Sequence, residues 1–408
     1  MRSLIPSAAK TGLVLSGGGM RGAYEVGVVL GIVDALKPRA GSPPLFRIFS
    51  GASVGAINTA YLAANAELPD HGIARLAEVW KTLKLEDHAR VRPFGLTGLK
   101  LPNLLTKGAP AGNSLLDTRA LEVLVRRTVD WERMHRVIDS GRVLALLIAA
   151  LHVASGRTTM FTEHAPGLSV IPTRDERRAT VIERITADHV LASAAIPLLM
   201  PTRRVGDHYY CDGGLRFNTP IAPAIRAGAD RLIIVTVRHT PSVATLASAE
   251  ETDEGRGQDL SAVFLIGKLL NALLLDPVTY DLQVLERLNQ MMEVLENTLA
   301  PADLDRVQRV WVKTRGLPYK RLRTLVFTPS RDLGQMAGEF IRHHLRTDAL
   351  KPIARYLIDR AVKSSPQAEA DWASYLLFDG DFATEIIAGG YADALARKDE
   401  IRDFYASG

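Results

Sequence analysis

The sequence predicts an α/β fold on a mostly parallel sheet, and three observations carry that prediction. Two apolar strands, at residues 11–16 and 45–50, each run straight into a glycine-containing turn and then into an apolar-periodic helix. Strand, turn and helix repeated in tandem make a βαβα pattern, which implies parallel strands with the functional loops at their carboxyl ends. Further apolar stretches at 142–152 and 231–237 read as strands of the same sheet. The first has a length of about ten, which suits a strand buried on both faces. Both glycine turns then sit on one edge of the sheet.

Composition bounds what such a fold can be. With 408 residues, 47% apolar and 23% charged, the chain can bury one large core or two smaller ones. The single cysteine, Cys211, excludes an internal disulfide and a cysteine-rich metal site, and it fits a reducing compartment. The net charge of +5 is spread along the chain, without a basic run of the kind that forms a nucleic-acid arm. At most it favours an anionic surface such as phospholipid. No signal peptide is expected, because the apolar stretch after Lys10 is short and leads into Gly17–Gly19. No stretch reaches the roughly 18 apolar residues that a transmembrane helix needs.

Taken in order, the first unit is Thr11–Ser16, the turn Gly17-Gly-Gly-Met-Arg-Gly22, and a helix with Ala23, Val26, Val29, Leu30 and Val33 on its apolar side. The second is Leu45–Ser50, the turn Gly51-Ala-Ser-Val-Gly55, and an Ala-rich helix from Ala56 to Ala66. Residues 67–85 read as helical. Residues 90–114, rich in Pro and Gly, read as a long surface excursion of the sort that often serves as a lid or entrance. A helix resumes at Asp117, the strand at Arg142–His152 follows, and a polar hairpin at Gly156 and Arg157 returns the chain through Thr158–Thr162. Residues 186–201 form a small-residue helix that Pro197 and Pro201 break, and Ile196 with Pro197 can supply an apolar wall. His208–Asp212 is a short strand ending in a tight Asp-Gly-Gly turn. Beyond residue 240 a polar, acidic stretch leads to Leu260–Leu275, apolar on nearly every face, and Leu322–Thr328 is a candidate further strand. The first expectation for 260–275 is a helix buried on all sides, and the second is a cover or membrane-contacting element.

The chemistry must come from groups that converge at the glycine-turn edge. A G-x-S-x-G turn between strand and helix is a nucleophile elbow, whose small residues let the chain bend so that the Ser53 hydroxyl stands clear. A helix-capping serine has the same local sequence. The Gly17–Gly19 turn tilts the balance, since unobstructed backbone N–H groups can stabilise an acyl oxyanion. The same turn satisfies G-x-G-x-x-G. Dinucleotide binding, however, needs an acidic residue at the end of the next strand, where Phe49-Ser50-Gly51 stands, and Asp34 lies inside the helix. Arg21 can hold the glycine loop, attract an anionic head group, or form a surface salt bridge.

Ser53 needs a base. Asp212 with His239 could formally complete an α/β-hydrolase triad, but that fold has several strands before its elbow strand and here only one precedes it. The alternative is Asp212 acting directly on Ser53, which requires burial to raise its pKa toward working pH. An ordinary turn-forming Asp-Gly is the plain reading of the dipeptide alone.

Gly17-Gly-Gly-Met-Arg-Gly22, Gly51-Ala-Ser-Val-Gly55-Ala-Ile-Asn58, Ala192-Ser-Ala-Ala-Ile-Pro197 and Asp212-Gly-Gly214, in this order, resemble the patatin-like phospholipase family. Trp372–Gly380, continuing to Ala394, is also similar to bacterial members, though more weakly. The resemblance implies a three-layer α/β/α sandwich and a Ser–Asp dyad without histidine, with Ser53 as nucleophile and Asp212 as partner. It also implies an oxyanion loop of Gly17, Gly18, Gly19 and Arg21, with Ile196 and Pro197 at the substrate. The expected organisation is a catalytic core over 11–237, a polar linker over 238–259, and a mainly helical region over 260–408, with 322–328 adding a strand to the core sheet.

The expected activity is hydrolysis of fatty-acyl esters of phospholipids or lysophospholipids, without metal or cofactor. The expected setting is cytoplasmic and peripheral at a membrane surface, with no nucleic-acid partner. Two alternatives stand beside it: an acyltransferase or thioesterase using the same dyad, and a non-catalytic lipid-binding or partner-binding module.

Overall fold

The computed structural model describes residues 9–84, 90–91, 116–197, 199–239, 276–344 and 374–406. The expectations for 260–275 and for most of 90–114 and 238–259 fall outside them. Among the described residues the centre is a nine-stranded sheet. Its strands are β1 (Thr11–Leu15), β2 (Ile48–Ala52), β3 (Ala145–His152), β4 (Thr158–His164), β5 (Arg178–Ile182), β6 (Arg203–Val205), β7 (His208–Asp212), β8 (Arg231–Val235) and β9 (Arg323–Phe327). The order across the sheet is β9-β8-β1-β2-β3-β4-β5, with β7 pairing β3 and β6 pairing β7.

β9, β8, β1, β2 and β3 are parallel neighbours, while β3–β4, β3–β7 and β6–β7 are antiparallel. Residue 323–327 pairing against β8 makes β9 a strand of the same sheet, and Arg231 stands opposite Arg323.

β1, β2 and β8 are buried along their whole length and apolar at most positions, because both faces of the sheet are covered there. Leu13, Leu15, Phe49, Leu146, Ile148, Ile233 and Val235 enter one core, while Val14, Ile48, Leu147, Leu232 and Ile234 enter another. The alternation follows from successive side chains pointing to opposite faces. The first core is closed by α1 (Gly22–Leu36), α2 (Val54–Ala64), α3 (Ile73–Lys81), α4 (Arg119–Thr128), α5 (Trp131–Asp139) and α6 (Ala187–Ser193). The second is closed by α7 (Gly214–Phe217), α8 (Ile221–Arg226) and α9 (Asp276–Thr298). A helix α10 (Pro301–Arg315) follows α9. This is the expected three-layer α/β/α arrangement.

The C-terminal helices α11 (Leu333–His344), α12 (Gly380–Ala396) and α13 (Lys398–Ala406) join the first core rather than standing apart. Phe340, Phe382, Ile386 and Phe404 are buried in it. Arg231 ties the end of α13 down by donating from Nη1 to the Phe404 carbonyl at 2.8 Å.

Several boundaries differ from the sequence reading for physical reasons. The helix expected over 67–85 is confined to α3, and α2 begins immediately after Ser53. β2 runs on into the glycine turn, because Gly51 pairs with Leu15 and Ala52 with Ala149. The helix in 186–201 stops at Ser193, short of Pro197, since the N–H groups of Asp212 and Gly213 take the carbonyls of Ala195 and Ser193. No described helix is long and apolar enough to cross a membrane.

Candidate active site

β2 and β7 meet end to end along one edge of β3. Ala52 pairs with Ala149, and the next residue of β3, Ala150, pairs with Asp212. β2 runs parallel to β3 and β7 antiparallel, so the residue leaving β2 and the residue ending β7 arrive at the same place. That register joins two side chains 159 residues apart: Ser53 Oγ donates to Asp212 Oδ2 at 2.7 Å.

Ser53 adopts φ 53° and ψ −125°, a positive-φ conformation costly for a residue with a Cβ. Packing holds it there. Its N–H donates to Ser193 Oγ at 2.8 Å, and the Ser193 hydroxyl donates to the Ala149 carbonyl at 2.6 Å. Gly55, two residues on, lies so close to the end of β1 that a Cβ would strike the Leu15 and Ser16 carbonyls. The elbow is therefore pinned on both sides. Ser193 belongs to a segment the sequence reading quoted without giving it this role.

Asp212 is fully buried, and its Oδ1 accepts the Gly214 N–H at 2.7 Å. Burial raises its pKa to about 7, and the hydrogen bonds from Ser53 and Gly214 act in the opposite direction by favouring the charged form. A carboxyl poised there can take a proton from a hydroxyl and return it near neutral pH. His239 is elsewhere: its Nδ1 bonds the Pro329 carbonyl at 2.9 Å, and neither Ser53 nor Asp212 has a hydrogen bond to it.

The glycine loop follows β1 and lies beside the elbow, where a Cβ on Gly17 would crowd Ser53 Cβ. The expectation that all three glycines offer free amides needs correction. The Gly17 N–H donates to Asn218 Oδ1 at 2.9 Å, and Asn218 Nδ2 donates back to the Gly17 carbonyl at 3.1 Å. Asn218 was missed in the sequence; it follows the Asp212 turn, and nothing local to it announces a partner two hundred residues upstream. The Gly18 and Gly19 amides have no protein acceptor among the described residues.

Arg21 is buried rather than exposed at a surface salt bridge, and its Nε donates to Ser374 Oγ at 2.8 Å. Ile196 is also buried, in a small apolar cluster with Tyr375 that Leu199, Leu215 and Leu376 border. Pro197 is partly exposed beside it. Ser53 itself is only 3% exposed.

Glu25 is a second fully buried carboxyl close to this edge. It accepts from Asn58 Nδ2 at 2.9 Å, and Trp80 Nε1 donates to Asn58 Oδ1 at 3.2 Å. Burial holds its pKa well above the usual carboxylate range, against hydrogen bonds from Asn58 and Ser16.

Compared with known proteins, residues 13–225 match the family model described as patatin-like phospholipase. No curated protein matches the chain. Among solved structures, the crystal structure of VipD from Legionella pneumophila aligns over 94% of this chain and 67% of that chain, at 12% identity and a TM-score of 0.33.

Proposed function

The chain belongs to the patatin-like phospholipase family, and from that premise we propose that it is a serine acyl hydrolase of phospholipase A or lysophospholipase type, cleaving fatty-acyl esters of membrane lipids. The observation that carries this reading is the 2.7 Å hydrogen bond from Ser53 Oγ to the buried Asp212 carboxyl.

In the proposed reaction Asp212 Oδ2 takes the Ser53 proton as Oγ attacks the ester carbonyl. The carbonyl oxygen becomes an oxyanion, received by the N–H groups of Gly18 and Gly19 rather than Gly17. Collapse of the tetrahedral species breaks the bond to the leaving alkoxide, which takes the proton back from Asp212. Asp212 then deprotonates water, which attacks the acyl-Ser53 ester and releases the fatty acid. The proton on Asp212 returns to Ser53, and the enzyme is regenerated. Ile196 and Pro197 offer apolar surface to the acyl chain.

A screen of lipid classes with purified protein, alongside labelling by a fluorophosphonate probe, tests the reading. Release of free fatty acid by wild type, with loss of both turnover and labelling in Ser53→Ala, is the expected result. Full turnover in Ser53→Ala would overturn it. Acyl groups appearing on an added alcohol in place of free acid would make the activity a transfer instead. His239→Ala is expected to retain turnover, whereas a loss equal to that of Asp212→Asn would restore the triad.

A further inference from the structure

The glycine loop has no side chains of its own to hold it, and a run of glycines has more conformational freedom to lose than any other sequence. Gly17 is held by the two-way clasp of Asn218. Gly18 and Gly19, whose amides matter to the proposed reaction, need a different anchor.

The turn they belong to is closed by the Arg21 N–H, which donates to the Gly18 carbonyl at 3.1 Å. The Arg21 side chain then runs to the C-terminal segment, 353 residues away in the sequence. Its Nε bonds Ser374 Oγ at 2.8 Å, and its guanidinium carbon sits 4.1 Å from the centre of the Tyr375 ring. The same segment presses on Gly19 directly. Gly19 has φ 56°, and a Cβ there would collide with the Tyr375 carbonyl oxygen. Tyr375 is fully buried against Ile196, and Ile196 follows the residue whose carbonyl accepts the Asp212 N–H. The segment thus links the Asp212 side of the site to the glycine-loop side.

We propose that Ser374 and Tyr375 are positioning residues for acyl transfer, holding through Arg21 the peptide planes of Gly18 and Gly19 in the orientation that receives the oxyanion. The inference rests on the acyl-hydrolase reading. Burying a guanidinium is costly unless it is well partnered, and a hydroxyl acceptor with an aromatic face is such a pairing. The residues touch no reacting atom, so their loss acts on the rate without changing the base.

The test measures kcat, KM, melting temperature and the pH profile on a short soluble ester for Ser374→Ala, Tyr375→Leu and Tyr375→Phe. Removing one oxyanion donor outright costs a hundredfold or more, so loosening two should lower kcat by about tenfold. The expected result is that loss in Ser374→Ala and Tyr375→Leu, with KM within about twofold and the acidic limb of the profile unmoved. Tyr375→Phe, which keeps the ring face under Arg21, should retain most of the rate.

Unchanged kcat in the first two variants, at any melting temperature, would overturn the inference. So would a rise in KM alone, or a limb that moves, which would mean an effect exerted through Asp212. If Ser374→Ala does not fold, Tyr375→Leu, which keeps apolar bulk against Ile196, decides. Failure of the underlying reading is distinct, because wild type would then show no Ser53-dependent turnover at all.

Discussion

Asp212 and Glu25 are both fully buried carboxyls near the glycine-turn edge, and burial pushes the pKa of each upward. They differ in what opposes that push. Asp212 receives the Ser53 hydroxyl on one oxygen and the Gly214 N–H on the other, and its pKa comes to about 7. Glu25 has hydrogen bonds from Asn58 and Ser16, and its pKa still stays well above the carboxylate range. Similar depth therefore leaves one carboxyl held at about 7 beside the Ser53 hydroxyl and another held well above the usual carboxylate range. What sets Asp212 apart is its partner, since the Ser53 hydroxyl on Oδ2 is the group whose proton it is proposed to take.

The sharpest way to test the contrast is Asp212→Asn, which keeps the shape and removes the base. We expect kcat to fall by three or more orders of magnitude, about the scale of losing a general base together with the orientation it gives the nucleophile. Stability should move the other way. Because the folded pKa of Asp212 is raised, the native state holds a proton that the unfolded chain has already released as pH climbs past about 4. Its contribution is then intact in acid and is lost as pH rises through about 7. Melting temperatures should show Asp212→Asn gaining on wild type at pH 8 relative to pH 5. In wild type, kcat/KM should rise with pH through the same region and level off above it. A flat profile from pH 5 to 8 would mean that Asp212 is not the group being titrated.

A smaller effect is expected from Asn218→Ala, since it removes the clasp on Gly17 without touching either carboxyl. The Gly17 carbonyl loses its buried donor, while the Gly17 N–H keeps the Asn218 backbone carbonyl at 3.2 Å. We expect kcat to drop about ten- to a hundredfold and the melting temperature to fall by several degrees, with the acidic limb unmoved. Movement of that limb would show the glycine loop and Asp212 to be electrically coupled, and the comparison would have to be redrawn.

How much of this was legible in the sequence depended on distance along the chain. The elbow is legible because strand, small residues and helix are contiguous, whereas Asp212 reads locally as an ordinary turn after a short strand. Their meeting was an expectation from resemblance; the register that brings them together is a property of β3, and the sequence around Asp212 does not reveal which strand it pairs with. Arg21 illustrates the limit. Its surroundings leave open whether it holds the glycine loop, attracts an anionic head group or forms a surface salt bridge, because its partners Ser374 and Tyr375 lie 353 and more residues away. Glu25 was passed over for a related reason. The apolar stripe of Ala23, Val26, Val29, Leu30 and Val33 leaves it looking like a solvated position, but Asn58 of α2, itself bonded by Trp80 of α3, meets it and it is fully buried.

The smallest expected effect, and the one that sharpens the comparison most, is that of Glu25→Gln. If Glu25 is neutral at working pH, glutamine reproduces its shape, its charge and its ability to accept from Asn58, so the chain Trp80–Asn58–residue 25 survives. Turnover should then stay within about threefold of wild type, the acidic limb should not shift, and the melting temperature should change by no more than a few degrees. Glu25→Ala should behave differently, because it empties a packed site and leaves the Asn58 amide with only the Gly22 carbonyl as acceptor, lowering the melting temperature by several degrees more than Gln does. Were Glu25 ionised instead, Glu25→Gln would delete a buried negative charge close to the elbow. A vanished charge lowers the pKa of any neighbouring carboxyl, so the limb assigned to Asp212 would move to lower pH. A pH profile of Glu25→Gln thus reads the charge state of Glu25 through Asp212, and an unmoved limb is the outcome that keeps the two carboxyls in separate roles.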